Sequence, residues 1–273
     1  MTIQKFKAYQ PSFLLFVFAA LLFPAFLIGQ QMPTASIQRD ERAITVLKKA
    51  VNAAGSVDLL DAVRDFKGSG KITYYWAGQE VQGDVTVLGR GTSQFRMDAS
   101  LPEGVRSFTV NRGEGSVKEP SGEVKSMPPH NTGNFGSLTF PAKSLPAALQ
   151  DPSTSISYIG SETKEGHQVD HVRLQKIFKN DPQGLRSSLT KKDFFIDAST
   201  FQVVATLDML HPEHQSGVDY PHEMQFSDYR QVEGILVPFS ITETASGQRT
   251  FTLELTQFSA NAGLEDRHFQ LQP

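Results

Sequence analysis

Alternation of apolar and polar residues along much of the sequence constrains this chain most. Val85 and Val87 lie in one phase while Asp84 and Thr86 lie in the other, and residues 250–256 alternate in the same way. A period of two predicts strands with one apolar and one polar face. Such strands usually form antiparallel sheets, because parallel sheets are buried on both sides. The apolar face must be covered by a second sheet, by helices or by an apolar ligand.

Turn residues divide this region into twelve predicted strands. Short hairpin loops without crossover helices predict an up-and-down antiparallel meander. The predicted strands are 69–77, 80–88, 92–99, 105–112, 115–119, 154–163, 168–178, 191–197, 201–209, 222–230, 235–245 and 249–259.

Helices are predicted before the first strand and in one long interruption of the meander. Residues 43–54 carry apolar side chains at helical spacing, and Gly55 follows as the expected end. Residues 120–149 are rich in Gly, Pro, Ser and Asn and end in a short amphipathic stretch, which is typical of a lid, a binding loop or a disordered segment. A second short helix is predicted at 57–66, with an apolar face formed by Leu59, Val63 and Phe66.

Composition and charge exclude several classes of function. The chain of 273 residues has a net charge of only -3 without a cluster of like charges, so we predict no nucleic-acid partner. A hydrophobic content of 39% with 20 Phe is enough for a large core. The absence of cysteine excludes disulfides, thiolate metal sites and a Cys nucleophile. No cofactor is predicted.

The first residues have the pattern of an export signal. Lys5 and Lys7 precede residues 13–29, which are uncharged and mostly apolar. This segment is either a cleaved signal peptide or a retained anchor that contacts the inner membrane. Both predict that the rest of the chain lies outside the cytoplasm. The expected organisation is a signal or anchor at 1–29, a linker at 30–42 and a single β domain at 43–273.

Candidate catalytic or metal-ligating residues are few. The cluster His211, His214, Asp219, His222 and Glu223 contains the common non-thiolate ligands of zinc. A helical zinc pair needs histidines four residues apart, whereas His211 and His214 are three apart with a proline between them. No G-x-S-x-G or phosphate-loop motif occurs. We therefore predict neither a metal site nor an enzyme, and a metal-dependent enzyme using residues 211–222 is the weakest alternative.

The apolar phase of the predicted sheet supplies the candidate ligand contacts. Tyr74 and Trp76 share that phase, and large aromatic side chains often line apolar pockets. The competing interpretation is that these side chains are ordinary core. The residues predicted to form an apolar cavity are Ile72, Tyr74, Trp76, Val85, Val87, Phe95, Met97, Phe108, Phe251 and Leu253.

Two segments near the C-terminal end carry a family resemblance. Residues 226–239 fit a strand pair with the pattern F-x-x-Y-x-x-x-x-G-x-x-x-P, in which Gly234 forms a tight turn and Pro238 lies where no ladder bond is needed. Residues 261–269 fit N-x-x-L-x-D-x-x-F through Asn261, Leu264, Asp266 and Phe269. With these motifs the chain resembles the LolA/LolB-like superfamily of bacterial periplasmic lipoprotein carriers and their relatives.

The resemblance implies a mainly β (α+β) fold, a large antiparallel half-open barrel covered by an N-terminal helix and short helices. It also implies a cavity for the acyl chains of lipids or lipoproteins, with an envelope protein as a further partner. We therefore expect an exported, non-catalytic protein that binds lipid or lipoprotein in trafficking across the envelope. The alternative is an envelope structural or interaction protein whose own side chains fill the barrel.

Overall fold

The computed structural model describes residues 36–215 and 217–271. The expected signal or anchor at 1–29 and the first part of the expected linker therefore lie outside the described residues. Within these two ranges, no helix combines the length and apolar character needed to cross a membrane.

One antiparallel sheet of thirteen strands dominates the described part of the chain. All twelve predicted strands are present with bounds shifted by a few residues, and the short edge strand β6 adds to them. The strands are β1 (Asp65–Trp76), β2 (Gln79–Arg90), β3 (Gln94–Leu101), β4 (Gly104–Asn111), β5 (Glu114–Lys118), β6 (Val124–Ser126), β7 (Thr154–Lys164), β8 (His167–Lys176), β9 (Lys192–Asp197), β10 (Val203–Leu210), β11 (Tyr220–Val232), β12 (Ile235–Ala245) and β13 (Gln248–Ala260).

Two meanders make up this sheet. The strand order is β6-β5-β4-β3-β2-β1-β13-β12-β11-β10-β9-β8-β7, so β1–β6 form one meander and β7–β13 form the other. Pairing of β1 with β13 joins them, and it places Tyr74 between Val81 of β2 and Phe251 of β13. The centre of the sheet therefore consists of strands that are far apart in the sequence.

The first helix confirms the prediction from helical spacing. α1 (Glu41–Ala53) begins after Asp40, whose carboxylate accepts the backbone N–H groups of Arg42 and Ala43 at 2.8 and 3.0 Å. Its buried face packs into the main core. Gly55 lies just beyond its end, and a Cβ there would be only 2.9 Å from the Gly234 carbonyl oxygen. Glycine is therefore required by a close backbone approach.

The second helix is shorter than predicted, and of the predicted apolar face Val63 and Phe66 are buried while Leu59 is not. α2 (Val57–Ala62) ends before Phe66, which lies in β1. Leu59 is 41% exposed, whereas Leu60 is fully buried. An isolated helix of this length is marginal. The ladders that β1 forms with β2 and β13 therefore decide where the chain becomes extended.

We call the face covered by α1, α2 and residues 129–150 the inner face of the sheet. Residues 129–150 contain two 3-10 helices, Pro129–Asn134 and Pro141–Ser144, followed by α3 (Leu145–Gln150). The predicted helical stretch at the end of the 120–149 segment is thus a 3-10 turn followed by a short α-helix. Leu47, Leu60, Phe140 and Leu145 from these elements are fully buried in one core with the strands.

The opposite, outer face of the sheet is only partly exposed to solvent. This corrects the expectation that one face of the sheet is uniformly polar. Phe269 of the C-terminal 3-10 helix (Asp266–Phe269) is buried, and the Arg96 guanidinium on β3 donates to the carbonyl groups of His268 and Gln270. A second small core on β8–β10 contains Val169, Phe195, Val204 and Ala205. One further short helix, α4 (Leu185–Ser188), lies between β8 and β9.

Residues of the two sequence motifs form a tight turn and attach the C-terminal segment to the sheet. Gly234 has a φ of +85° in the tight turn between β11 and β12, a conformation that glycine adopts without strain. Asp266 accepts hydrogen bonds from Arg90 at 2.6 Å and Arg112 at 2.8 Å. These contacts tie the C-terminal segment to β2 and to the β4–β5 turn.

Candidate ligand-binding cleft

A cleft of about 280 Å³ remains open on the inner face beside β1, β4 and β13. Met97, Phe108, Phe135 and Leu138 form its buried floor. The other apolar lining residues are Tyr74, Trp76, Val117, Met127 and Phe251. The volume lies just below the lower end of the range for small-molecule pockets, about 300–1,000 Å³.

Half of the residues predicted to bind a ligand line this cleft. They are Tyr74, Trp76, Met97, Phe108 and Phe251. The structure places the other five in the packed core, where they are buried but do not line the cleft; they are Ile72, Val85, Val87, Phe95 and Leu253. Arg106, Glu243 and Thr250, which were not among the predicted residues, give the cleft its polar groups.

The mouth of the cleft is aromatic. The rings of Tyr74 and Trp76 stack with centroids 4.7 Å apart and an interplanar angle of 17°. Trp76 is 37% exposed, whereas Tyr74 is buried. The position of Trp76 at the end of β1 explains its exposure, because the hairpin turn leaves one side of the ring uncovered. The only tryptophan of the chain therefore lies between solvent and the apolar floor.

Arg106 is the cationic group of the cleft. Its Nε donates to Glu119 Oε2 at 3.1 Å, and its Nη1 donates to the Tyr74 hydroxyl at 3.3 Å. The guanidinium carbon lies 5.1 Å from the centroid of the Tyr74 ring and 5.8 Å from that of the Trp76 ring. Burial raises the pKa of Tyr74, and the nearby guanidinium opposes this in part.

Glu243 is the acidic group of the cleft, and it belongs to a buried polar chain. His222 Nε2 donates to Glu243 at 3.0 Å, His222 Nδ1 donates to Asp208 at 2.8 Å, and the Thr250 hydroxyl also donates to Glu243. Burial lowers the pKa of His222, but the hydrogen bonds to Asp208 and Glu243 outweigh it and raise that pKa to about 9. The imidazole is therefore protonated at neutral pH and neutralises part of the charge of Glu243.

Residues 129–150 cover one side of the cleft through Phe135 and Leu138. The Phe135 ring lies 5.2 Å from that of Phe108 and 5.3 Å from that of His222. A Cβ on Gly136 would overlap the carbonyl oxygen of Thr92. The covering segment therefore contacts the backbone of the β2–β3 turn directly.

Polar contacts hold the two ends of this covering segment. The Asn131 side chain donates to the His211 carbonyl oxygen at 2.9 Å and accepts the His211 backbone N–H at 3.0 Å. Lys143 Nζ donates to the Leu60 carbonyl oxygen at 2.6 Å, and burial lowers its pKa. Both contacts tie the segment to other elements of the inner face.

The histidine-rich loop does not gather into a metal centre. His211 Nε2 contacts Asp219 at 3.0 Å, whereas His222 contacts Asp208 and Glu243 within the sheet. In residues 36–215 and 217–271, no group of three or more His, Cys, Asp or Glu is arranged to hold a metal ion. His211 and His222 therefore belong to two separate local contacts.

Two other depressions are larger but more polar. One of about 650 Å³ lies where β12 and β13 stop pairing beyond Ser240 and Glu254, and Lys67 and Arg230 are among its lining residues. The other, of about 550 Å³, lies between β4–β6 and residues 269–271. The smaller cleft is the better candidate for an apolar guest because most of its wall is aromatic or aliphatic.

Comparison with solved structures identifies the architecture. A candidate outer membrane lipoprotein-sorting protein domain from Vibrio parahaemolyticus aligns with a TM-score of 0.50 and 12% identity, over 84% of this chain and 96% of that one. A LolA superfamily protein from Nitrosomonas europaea aligns with a TM-score of 0.50 and 14% identity, over 84% of this chain and 97% of that one.

The chain has a LolA-like fold. The mainly antiparallel half-barrel expected from the resemblance is confirmed. No protein-family model and no curated protein sequence matches the chain. At these identities the similarity establishes the LolA-like fold alone.

Proposed function

We propose that this LolA-like domain binds an apolar chain, of the kind found in lipids and lipoproteins, in the cleft beside β1. The observation that supports this proposal most strongly is that nine apolar side chains line a space that none of them fills. Packed interiors rarely leave voids of this size. An acyl chain would replace the missing contacts and remove exposed apolar surface from water.

The proposed role is non-catalytic and lies in the cell envelope. The two aligned structures are a lipoprotein-sorting domain and a LolA superfamily protein, and the apolar segment 13–29 supports export to the periplasm, with or without a retained anchor. A carrier in that compartment would exchange its guest with a membrane or with an envelope protein partner. No step of this role requires bond chemistry.

Loading would occur through the covering segment, residues 129–150. Its contacts include Phe135 on Phe108 of β4, Asn131 on His211 just after β10, and Lys143 on Leu60 of α2. Phe140 and Leu145 anchor the later part of the segment in the main core, as the apolar face of α1 is anchored. The part whose displacement would widen the cleft is therefore the one that carries Phe135 and Leu138.

Quenching of Trp76 tests the proposal directly. A dodecanol carrying bromine on its chain should quench Trp76 fluorescence saturably, because bromine quenches on contact and Trp76 is the only tryptophan. Val117→Phe should weaken quenching because Val117 lines the cleft. The matched control is Val105→Phe, at a 51% exposed position on the neighbouring strand, and it should bind as the wild type does. Absence of saturable quenching in the wild-type protein would refute the proposal.

A filled structural or interaction domain is the second candidate. It is favoured by the packing of the rest of the inner face, where α1, α2 and residues 129–150 bury most of the apolar surface of the sheet. Native mass spectrometry separates the two functions. The carrier should retain lipid after gentle purification or take it up from vesicles, whereas a filled domain would have the mass of the polypeptide alone in both cases.

A further inference from the structure

We infer that the cleft selects a single-chain amphiphile with an anionic head group held by Arg106, an inference that rests on the proposed function. The head group is a carboxylate or a phosphate ester, because both present oxygens that a guanidinium binds in a bidentate manner. The tail lies on the apolar floor.

Polarity within the cleft is graded from mouth to floor. Met97, Phe135 and Leu138 are almost completely buried and apolar. Arg106, whose side chain is 20% exposed, lies beside the half-exposed Trp76. A guest with one polar end therefore fits in one direction only, with its head group near Arg106.

The guanidinium of Arg106 has more N–H donors than it uses in hydrogen bonds to the described residues. A guanidinium carries five N–H groups. Among the residues that the structure describes, only Glu119 and the Tyr74 hydroxyl accept from it, through Nε and Nη1. Nη2 makes no such bond. Glu119 is itself partly exposed, so an incoming oxyanion can share the guanidinium with it.

The acidic side of the cleft is already engaged. Glu243 accepts from His222 and Thr250, and the protonated imidazole compensates its charge. A cationic head group would have to compete with that imidazolium and would meet the Arg106 charge. Of the two charged side chains that line the cleft, Glu243 accepts hydrogen bonds at both carboxylate oxygens, whereas Nη2 of Arg106 donates none to the described residues, and this difference favours an anion over a cation.

The volume limits the number of chains. With about 30 Å³ for a group the size of a water molecule, 280 Å³ accommodates about nine methylene groups. That is most of one medium-length tail, so with Phe135 and Leu138 in their described positions the cleft holds one acyl chain and not two or three. A lipid with several chains would leave the others outside the cleft.

Head-group comparison on a constant brominated dodecyl chain tests the inference. The probes are the carboxylate, the phosphate ester, the alcohol and the trimethylammonium, each titrated against Trp76 fluorescence. We expect the two anions to bind about tenfold or more tightly than the alcohol, and the trimethylammonium most weakly. Equal affinity of carboxylate and alcohol overturns the inference while leaving the proposed function intact. Failure of all four probes to bind overturns the proposed function itself.

Variants test whether Arg106 causes the preference for an anionic head group. Arg106→Gln should reduce the carboxylate preference to about one and retain alcohol binding, which shows that the cleft is folded. The matched control is Arg249→Gln, because Arg249 lies 5.3 Å from the Tyr75 ring and does not line the cleft; it should keep the preference. Glu119→Gln removes the competing acceptor and should tighten carboxylate binding several-fold. An unchanged preference in both Arg106→Gln and Glu119→Gln overturns the assignment to Arg106.

Discussion

At the scale of single residues, His222 is a buried side chain held through both ring nitrogens. It is almost fully buried between Asp208 and Glu243, and Lys192 lies 3.5 Å from Asp208 on the next strand. A buried charge is tolerated only when it is paired and hydrogen-bonded. Removing one member leaves an uncompensated charge, so the chain from Lys192 to Glu243 acts as one unit.

This unit predicts a stability that depends on pH. The pKa of His222 is raised from 6.5 to about 9 in the folded protein, so its contribution is complete below about 6.5 and is lost as the pH rises through 9. We expect the free energy of unfolding, measured by urea denaturation, to decrease between these values. The decrease should be smaller in His222→Gln, which is less stable at neutral pH but does not titrate. An equal decrease in both proteins would show that other groups cause it.

At the scale of elements, the covering segment depends on a glycine that the sequence does not mark. Gly136 lies directly against the Thr92 carbonyl group, whereas a Cβ on Gly133, in the same segment, would have no atom within 4 Å. Both residues lie outside the left-handed region, so backbone strain does not distinguish them. The two glycines therefore differ in the space around them.

Alanine substitutions at Gly136 and Gly133 should test whether the space around each glycine matters for stability. Gly136→Ala must displace the segment or the β2–β3 turn, and we expect a loss of about 1–3 kcal/mol in the free energy of unfolding, as for overpacked cores. Gly133→Ala should change it by less than about 0.5 kcal/mol. Thermal or urea unfolding measures both. A Gly136→Ala protein as stable as the Gly133→Ala control would mean that the segment is loosely held.

The elements show what alternation in the sequence can predict. Val85, Val87 and Phe95 lie on the buried face as predicted, because one face of a strand is fixed by its period of two. Leu59 of α2 was placed on the wrong face because so few residues define no reliable helical stripe. β6 was missed because three exposed residues carry no pattern. Pairing of β1 with β13 is not encoded locally, and only the family resemblance anticipated the curved sheet.

The cleft was predictable in part. Tyr74, Trp76, Met97, Phe108 and Phe251 were identified because they share the apolar phase. Its polar groups carried a signal that was overlooked, namely a charged residue in the apolar phase of a strand. Arg106 precedes Phe108 and Val110 by even steps, His222 precedes Met224 and Phe226, and Glu243 follows Ile241. Phe135 and Leu138 could not be placed, because an irregular segment has no period.

At the scale of the whole molecule, the central strands should be the most stable part of the sheet. β1 forms long ladders with β2 and β13, whereas β6 is a three-residue edge strand with every residue exposed. Local opening is easiest where backbone hydrogen bonds are few and exposed. We expect amide hydrogen exchange to be slowest around Ile72 and Leu253 and fastest around Lys125. Comparable protection at Lys125 and Ile72 would contradict this distribution.

The junction of β1 with β13 also has a consequence for biosynthesis. Before residues 248–260 join the sheet, β1 and β12 each have an edge that lacks its native partner strand. Unpaired edges recruit other strands and promote aggregation. We therefore expect a nascent or truncated chain to be bound by chaperones or cut by proteases. This exposure ends when residues 248–260 pair with both β1 and β12.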